Sequence, residues 1–270
     1  MSASPDPIFL ATAVEAALAA GRIQRRYFRQ NIAISKKGPI DLVTAADLEV
    51  EREFRMLIAE RFPSHVVLGE EQGSGGSTVP ASRYRWIIDP IDGTTNFAHG
   101  LAIFCCSIAL EIDGRVAVGA VYDPIAEELF TAELGQGAWL NGAPLRVSPC
   151  ERLIDALMCT GFPYSVREKR QRLVNIFGAL LGEAQGIRRL GSAALDLCYV
   201  AAGRLDGFWE DTLQPWDMAA AALIVEEAGG RLTNYLGEQV DMFRGQVVAS
   251  NGKLHADILD VIARGEGRLP

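Results

Sequence analysis

Apolar residues recur at helical intervals over residues 7–30, where Ile8, Val14, Leu18, Ile23 and Phe28 approximate one face. A second helical pattern covers residues 45–62, with Val50, Phe54, Leu57 and Ile58 as its inward stripe. Thr44, with Asp47 three residues on, resembles a capping arrangement at its start. A short apolar run at 66–68 ends in Gly69-Glu70-Glu71, and the Gly- and Ser-rich residues 72–80 read as a loop. Residues 84–88 read as a strand running into Asp89-Pro90-Ile91-Asp92-Gly93-Thr94-Thr95-Asn96. From Ile103 the period shortens. Runs at 105–111 and 116–122 flank Asp113-Gly114, a run at 129–133 follows, and Asn141-Gly142 marks a second hairpin turn between Leu140 and Leu145. These hairpins predict an antiparallel sheet.

Beyond Arg146 the pattern alternates. Strand-like runs at 156–160 and 207–210 are interleaved with helical ones at 167–181, 193–202 and 218–228, the last closed by Gly229-Gly230. The change predicts an α+β part over residues 1–146 and an α/β part over 147–270, joined in one body with no internal repeat or low-complexity tract.

Composition narrows the function classes. Of 270 residues, 49% are hydrophobic and 22% charged, enough to bury a core. The first seven residues do not resemble a signal peptide, and the apolar runs at 101–110 and 218–225 are too short to span a bilayer, so a soluble, cytoplasmic protein is expected. Five cysteines (105, 106, 150, 159, 198), odd in number and without a Cys-x-x-Cys pair, suit reduced core positions better than disulfides. The three histidines, His65, His99 and His255, are not at ligand spacing, which disfavours a zinc site of nitrogen and sulfur ligands. A bound metal would therefore take oxygen ligands. The formal net charge of −8 argues against nucleic acid as the main ligand. Arg22, Arg25, Arg26 and Arg29 crowd the end of the first helix, either complementing its dipole on a solvated face or forming a patch for a partner.

Three carboxylate clusters stand at element ends: Glu70-Glu71, the Asp89/Asp92 pair, and Asp217 after Trp216. Each alone is good turn or cap chemistry. If Glu70, Asp89, Asp92 and Asp217 converge, however, their charges cannot share a cleft unpaired, and hard divalent cations such as Mg²⁺ are the natural partners. Gly93-Thr94-Thr95 adds backbone amides suited to an anion. At a separation of ~4 Å and an effective dielectric of ~20, each unit charge pair is worth on the order of 4 kcal/mol, so cations would decide whether a phosphate binds beside these acids.

The segment Trp86-Ile87-Ile88-Asp89-Pro90-Ile91-Asp92-Gly93-Thr94-Thr95-Asn96-Phe97 resembles the first signature of the inositol monophosphatase family. Trp216-Asp217 through Glu227-Ala228-Gly229-Gly230 resembles its second. The PIDLVTAAD stretch at 39–47 and Gly69-Glu70-Glu71 also resemble family segments, and the similarity runs from about residue 8 to residue 262. The resemblance implies a layered α-β-α-β-α sandwich and Mg²⁺-dependent hydrolysis of small phosphate monoesters, with inositol monophosphate as the leading substrate. Histidinol phosphate, fructose 1,6-bisphosphate and 3′-phosphoadenosine 5′-phosphate are alternatives. It implies two or three Mg²⁺ held by Glu70, Asp89, the Ile91 carbonyl, Asp92 and Asp217. Gly93 and Thr94 would contact the phosphate, and Glu70 and Thr94 would orient the attacking water, with Asp89 and Asp92 also in the catalytic set. Ser192, Ala193 and Glu210 would form the wall facing the alcohol, Asp92 and Asp217 would join them in binding substrate, and Lys36 and Asp47 would order the metal ligands from behind. Ser192 stands where many relatives carry Thr, and Ala221 where Gly is common. Arg188 and Arg189 would serve a second phosphate or coat the surface, and His99 belongs to the scaffold or to substrate contact. The resemblance further implies lithium sensitivity and a homodimer, with residues 101–104 and 156–162 as interface candidates. Some bacterial relatives act as partners of the transcription machinery, an alternative that only the basic end of the first helix invites.

Overall fold

Helix α1, Pro7–Tyr27, begins where Asp6 accepts a hydrogen bond from the Ile8 amide at 3.0 Å and Pro7 fills the first turn. The computed structural model describes residues 5–30, 34–36, 42–73 and 82–269. The predicted loop at 72–80 falls mostly outside them. Strands β1 (Ile34–Lys36) and β2 (Leu42–Thr44) form a small antiparallel ribbon leading into α2, Ala45–Arg61. The expected cap is present: the Thr44 amide donates to Asp47 Oδ2 at 2.8 Å and the Ala46 amide to Thr44 Oγ1 at 3.2 Å.

The main sheet has seven strands in the order β3 (Val66–Gly69), β4 (Tyr84–Asp92), β5 (Cys105–Ile112), β6 (Arg115–Asp123), β7 (Glu128–Glu133), β8 (Gly137–Leu140) and β9 (Ala143–Pro144). Every neighbouring pair is antiparallel except β3–β4. Both predicted hairpin turns have two left-handed residues: φ is 51° and 81° at Asp113 and Gly114, and 49° and 81° at Asn141 and Gly142. That geometry matches the twist of the flanking strands. Strand β4 runs four residues past its predicted end because its register with β5 shifts between Asp89 and Asp92, and this irregularity accommodates Pro90.

Helices α1 and α2 bury Ala13, Ala17, Val50, Phe54 and Ile58 against one face of this sheet. The other face receives α5 (Ala193–Ala201) and α6 (Pro215–Glu227). Helix α6 approaches β6 so closely that a Cβ at Gly119 would lie 2.7 Å from the Ala220 carbonyl oxygen. Met218 through Val225 are all buried, as a helix enclosed between two sheets requires. Beyond it lies a five-stranded sheet in the order β11 (Gly186–Arg188), β10 (Leu157–Thr160), β12 (Gly207–Glu210), β14 (Val247–Ser250) and β13 (Arg231–Thr233). Helices α4 (Val166–Glu183) and α7 (His255–Gly265) cover its outer face through Ile176, Leu180, Ile258 and Ile262. The chain is thus an α-β-α-β-α sandwich, as expected. Phe104, Ala156, Met158 and Cys159 are fully buried, so most of the candidate interface material is core, although Leu101 is exposed.

His255, at the start of α7, is buried between the Ser250 hydroxyl at 2.9 Å from Nδ1 and the Thr233 hydroxyl at 2.8 Å from Nε2. Burial lowers its pKa from 6.5 to about 4. For a base whose folded pKa is depressed, the stability contribution is complete above the unfolded value and is lost as pH falls through the folded one. Chemical denaturation between pH 6.5 and 4 should therefore show a loss on the order of 3 kcal/mol that is absent in His255→Gln. The same slope in the variant would assign the acid sensitivity elsewhere.

Candidate active site

The carboxylates predicted to converge do so at the junction of the two sheets. Asp89 and Asp92 leave the end of β4, and Asp217 sits in the first turn of α6. Each of these three aspartates offers an oxygen within 4.8 Å of the others, a spacing that suits a divalent cation. Glu70, just after β3, lines the same cavity but lies outside that tight group. The cavity measures about 730 Å³ and also takes in Gly93, Thr94, Ser192, Ala193 and Glu210.

Local bonding fixes each acid. Asp89 Oδ1 accepts from the Ile91 amide at 2.9 Å, closing a short turn around Pro90. Asp92 reaches across to the start of α5, where Oδ2 accepts from Ser192 Oγ at 2.5 Å and from the Ala194 amide at 2.8 Å, and Oδ1 accepts from the Ala193 amide at 3.2 Å. Asp217 Oδ2 accepts from the Gln214 amide at 2.7 Å ahead of α6. Burial raises all three pKa values. Glu70, Asp92 and Asp217 raise Asp89 further, whereas the donors at α5 partly hold Asp92 down. The donor set is oxygen throughout, and no lysine or arginine pairs with any of the three among the described residues. The site therefore suits a hard divalent cation.

Gly93 adopts φ 96° and opens α3, Thr94–Ala98, a single turn whose first amides have no carbonyl of their own helix to meet. Thr94 Oγ1 donates to the Ile91 carbonyl at 2.9 Å. Glu210, at the end of β12, is buried, and burial, reinforced by the Asp217 charge, raises its pKa. Its carboxylate lies against Gly161, where a Cβ would come within 1.9 Å of Oε2.

Some expected roles shift. Ser192 and Ala193, expected on the substrate wall, direct their donors at Asp92, so their first task is to hold that acid. Asp47 is buried, caps α2, and has a pKa raised to about 7, chiefly by burial; its Oδ1 has no hydrogen-bond partner among the described residues. The Lys36 backbone lies in β1, but its side chain falls outside the described residues. His99 is exposed after α3 and does not line the cavity. Arg188 is exposed and bonds to the Ile187 carbonyl, while Arg189 lines the cavity, and it is Arg189 whose charge opposes the rise at Glu210. Asp196, also on the cavity wall, was not singled out from the sequence. It lies one helical turn after Ser192 in an apolar stretch, a buried carboxyl that the pattern alone does not distinguish from a polar helix face. At the end of α1, Arg25 bonds to Glu127 at 2.6 Å and Arg26 to Glu49 at 2.5 Å, so those two charges serve the scaffold.

Comparison with known proteins agrees with this geometry. The sequence profile of the inositol monophosphatase family matches residues 8–265. The chain is 42% identical to the inositol-1-monophosphatase of Mesorhizobium japonicum over 253 residues, covering 93% of this chain and 94% of that protein. It is also 42% identical to the Nus factor SuhB of Pseudomonas aeruginosa over 254 residues, with the same coverage. The inositol monophosphatase of Anabaena superposes with a TM-score of 0.86 at 41% identity, over 97% of this chain and 96% of that one. No described helix is long and apolar enough to cross a membrane. Full-length agreement in sequence and fold, meeting on one acidic cleft, establishes that the chain belongs to the inositol monophosphatase family and is a phosphoric monoester hydrolase.

Proposed function

We propose that the chain hydrolyses inositol monophosphate to inositol and phosphate with Mg²⁺, as a cytoplasmic homodimer. The observation that carries this reading is the arrangement of one cavity: Asp89, Asp92 and Asp217 gather beside the Gly93–Thr94 turn, with the buried carboxyl of Glu210 on the wall. Two or three cations would be held by Glu70, Asp89, the Ile91 carbonyl, Asp92 and Asp217. When bound, they would neutralise the acids, polarise the phosphate and lower the pKa of water.

The protein's own groups divide the remaining work. The Gly93 and Thr94 amides receive phosphate oxygens at the opening of α3. The Thr94 hydroxyl proton is committed to the Ile91 carbonyl, so Oγ1 presents lone pairs to the cavity and holds an attacking water by one of its protons. Glu70 accepts the other proton and turns the water towards phosphorus. Ile91 keeps a second lone pair for a cation while accepting from Thr94. Asp92, fixed by three donors at α5, keeps its geometry as charge moves during the reaction. Glu210 accepts hydrogen bonds from the hydroxyls of the alcohol.

The test is a kinetic panel of inositol 1-phosphate, histidinol phosphate, fructose 1,6-bisphosphate, 3′-phosphoadenosine 5′-phosphate and glycerol 2-phosphate with Mg²⁺, run on the wild type and Glu210→Gln. Inositol phosphate should give the highest kcat/KM. The variant should raise its KM by roughly tenfold, about 1.4 kcal/mol, and affect glycerol 2-phosphate less, because a buried acceptor without its hydroxyls is left unpaired. Preference for another ester would reassign the substrate. Turnover that persists in excess EDTA would remove the cations from the chemistry.

A further inference from the structure

Helix α2 carries a second stripe that its apolar pattern conceals. Asp47, Glu51 and Arg55 follow one another at four-residue spacing, so they lie on one face, and Asp47 and Glu51 are fully buried. That face meets the turn after β3. Glu51 Oε2 accepts from the Glu71 amide at 2.8 Å and Oε1 from the Gln72 amide at 3.1 Å. Arg55 Nε donates to Glu51 Oε1 at 2.8 Å, Nη2 donates to the Gly73 carbonyl at 2.7 Å, and Nη1 reaches the Val67 carbonyl at 3.3 Å. The turn closes on itself where the Gly69 amide donates to the Gly73 carbonyl, N to O 3.2 Å. A Cβ at Gly69 would sit 2.5 Å from the Glu51 carboxylate, so that carboxylate is pressed directly against the backbone preceding Glu70.

Both sides of Glu70 are therefore held by one ion pair, whose carboxylate is fully buried and whose guanidinium is partly so. The carboxylate grips the backbone at 71 and 72, and the guanidinium grips 67 and 73. Neither side chain lines the cavity. Nothing in helix capping or core packing calls for a buried charge at this place, and an isolated buried charge is costly. Beyond the pair itself, its partners are main-chain groups of that turn and of Val67 in β3 just before it. Glu70 lies outside the tight aspartate trio yet contributes its charge to Asp89 and Asp217.

We propose that Glu51 and Arg55 are positioning residues that fix the 69–73 turn and so set Glu70 at the rim of the aspartate trio, making divalent-cation affinity depend on an ion pair outside the cavity. The proposal rests on the reading of Glu70 as a cation ligand. It assigns neither residue contact with substrate. Loosening the turn lets the Glu70 carboxylate leave the rim, and cations then bind more weakly while Asp89, Asp92 and Asp217 stay in place.

The probe is Mn²⁺, titrated calorimetrically into the full chain without substrate, with thermal melts in EDTA recorded alongside. Glu51→Gln should weaken Mn²⁺ binding by roughly tenfold, the scale on which groups supporting metal ligands act. Arg55→Lys, which keeps the charge but loses the forked contacts to residues 67 and 73, should show a smaller loss. With phosphate ester present, the Mg²⁺ concentration for half-maximal rate should rise while kcat at saturating Mg²⁺ recovers. Glu70→Gln combined with Glu51→Gln should bind Mn²⁺ no more weakly than Glu70→Gln alone, because both act through one carboxylate. Additive losses, or wild-type affinity in a folded Glu51→Gln, would overturn the proposal. If Glu51→Gln does not fold, Arg55→Lys decides by the same comparison. A wild-type chain that binds no Mn²⁺ would overturn the cation reading itself, an outcome separate from the others.

Discussion

Asp217→Asn should lower kcat by about a thousandfold, roughly 4 kcal/mol of transition-state stabilisation, while the fold persists. The amide keeps the side chain's shape and its acceptor oxygen for the Gln214 amide, so the start of α6 survives. It removes one of three charges whose oxygens lie within 4.8 Å of one another. A hard cation held by carboxylates tolerates that loss poorly. Circular dichroism and a melt in EDTA should match or exceed the wild type, since a half-buried carboxyl crowded by Asp92 and Glu70 is itself destabilising once cations are chelated. Wild-type turnover at saturating Mg²⁺ would take Asp217 out of the cation site.

Gly93→Ala should be nearly as damaging through backbone alone. The residue holds φ 96°, and an added Cβ would meet the Ile103 carbonyl at 3.0 Å, the Gly191 carbonyl at 3.2 Å and Phe104 Cβ at 3.3 Å. Two of these neighbours are backbone oxygens that cannot swing away, so the turn itself must shift and take the Thr94 amide with it. A loss of about a hundredfold in kcat/KM is expected, because a displacement near 1 Å at the reacting group suffices for that. Gly114→Ala is the control: its φ is 81° but nothing lies within 4 Å, so stability should fall slightly and activity should hold. Equal kinetic effects in the two variants would show that space around Gly93 is irrelevant.

Much of this was legible in the sequence because local rules and global fold agree. The Asp113-Gly114 and Asn141-Gly142 turns determine their own geometry, and both hairpins formed. The Thr44 and Asp47 cap needed only four residues to specify it. Strands β11, β13 and β14 were not anticipated, nor was α7: two of the strands have three residues each, and the Asn251-Gly252 turn joins β14 to a helix and not to a second strand. Helix α3 is a single turn and carries no period to read. The brace on α2 was missed for a different reason. Glutamate and arginine four apart on a helix ordinarily signal a solvated pair, and only the fold reveals that β3 and its turn cover them. Ser192 lines the cleft, but which way its hydroxyl points depends on Asp92, a hundred residues away in the chain.

The seat of Asp92 at the head of α5 bears on how such proteins drift over evolutionary time. Its oxygens terminate that helix and join the end of β4 to the middle layer, so selection for a folded chain preserves this aspartate even where selection for turnover has lapsed. Asp89, held by the Ile91 amide of its own turn and by Asp217, itself one of the trio, has less to keep it in place once chemistry is no longer needed. In descendants that adopt another occupation, the first signature would then decay unevenly, and an intact Asp92 would testify to architecture while the fate of Asp89 recorded the enzyme.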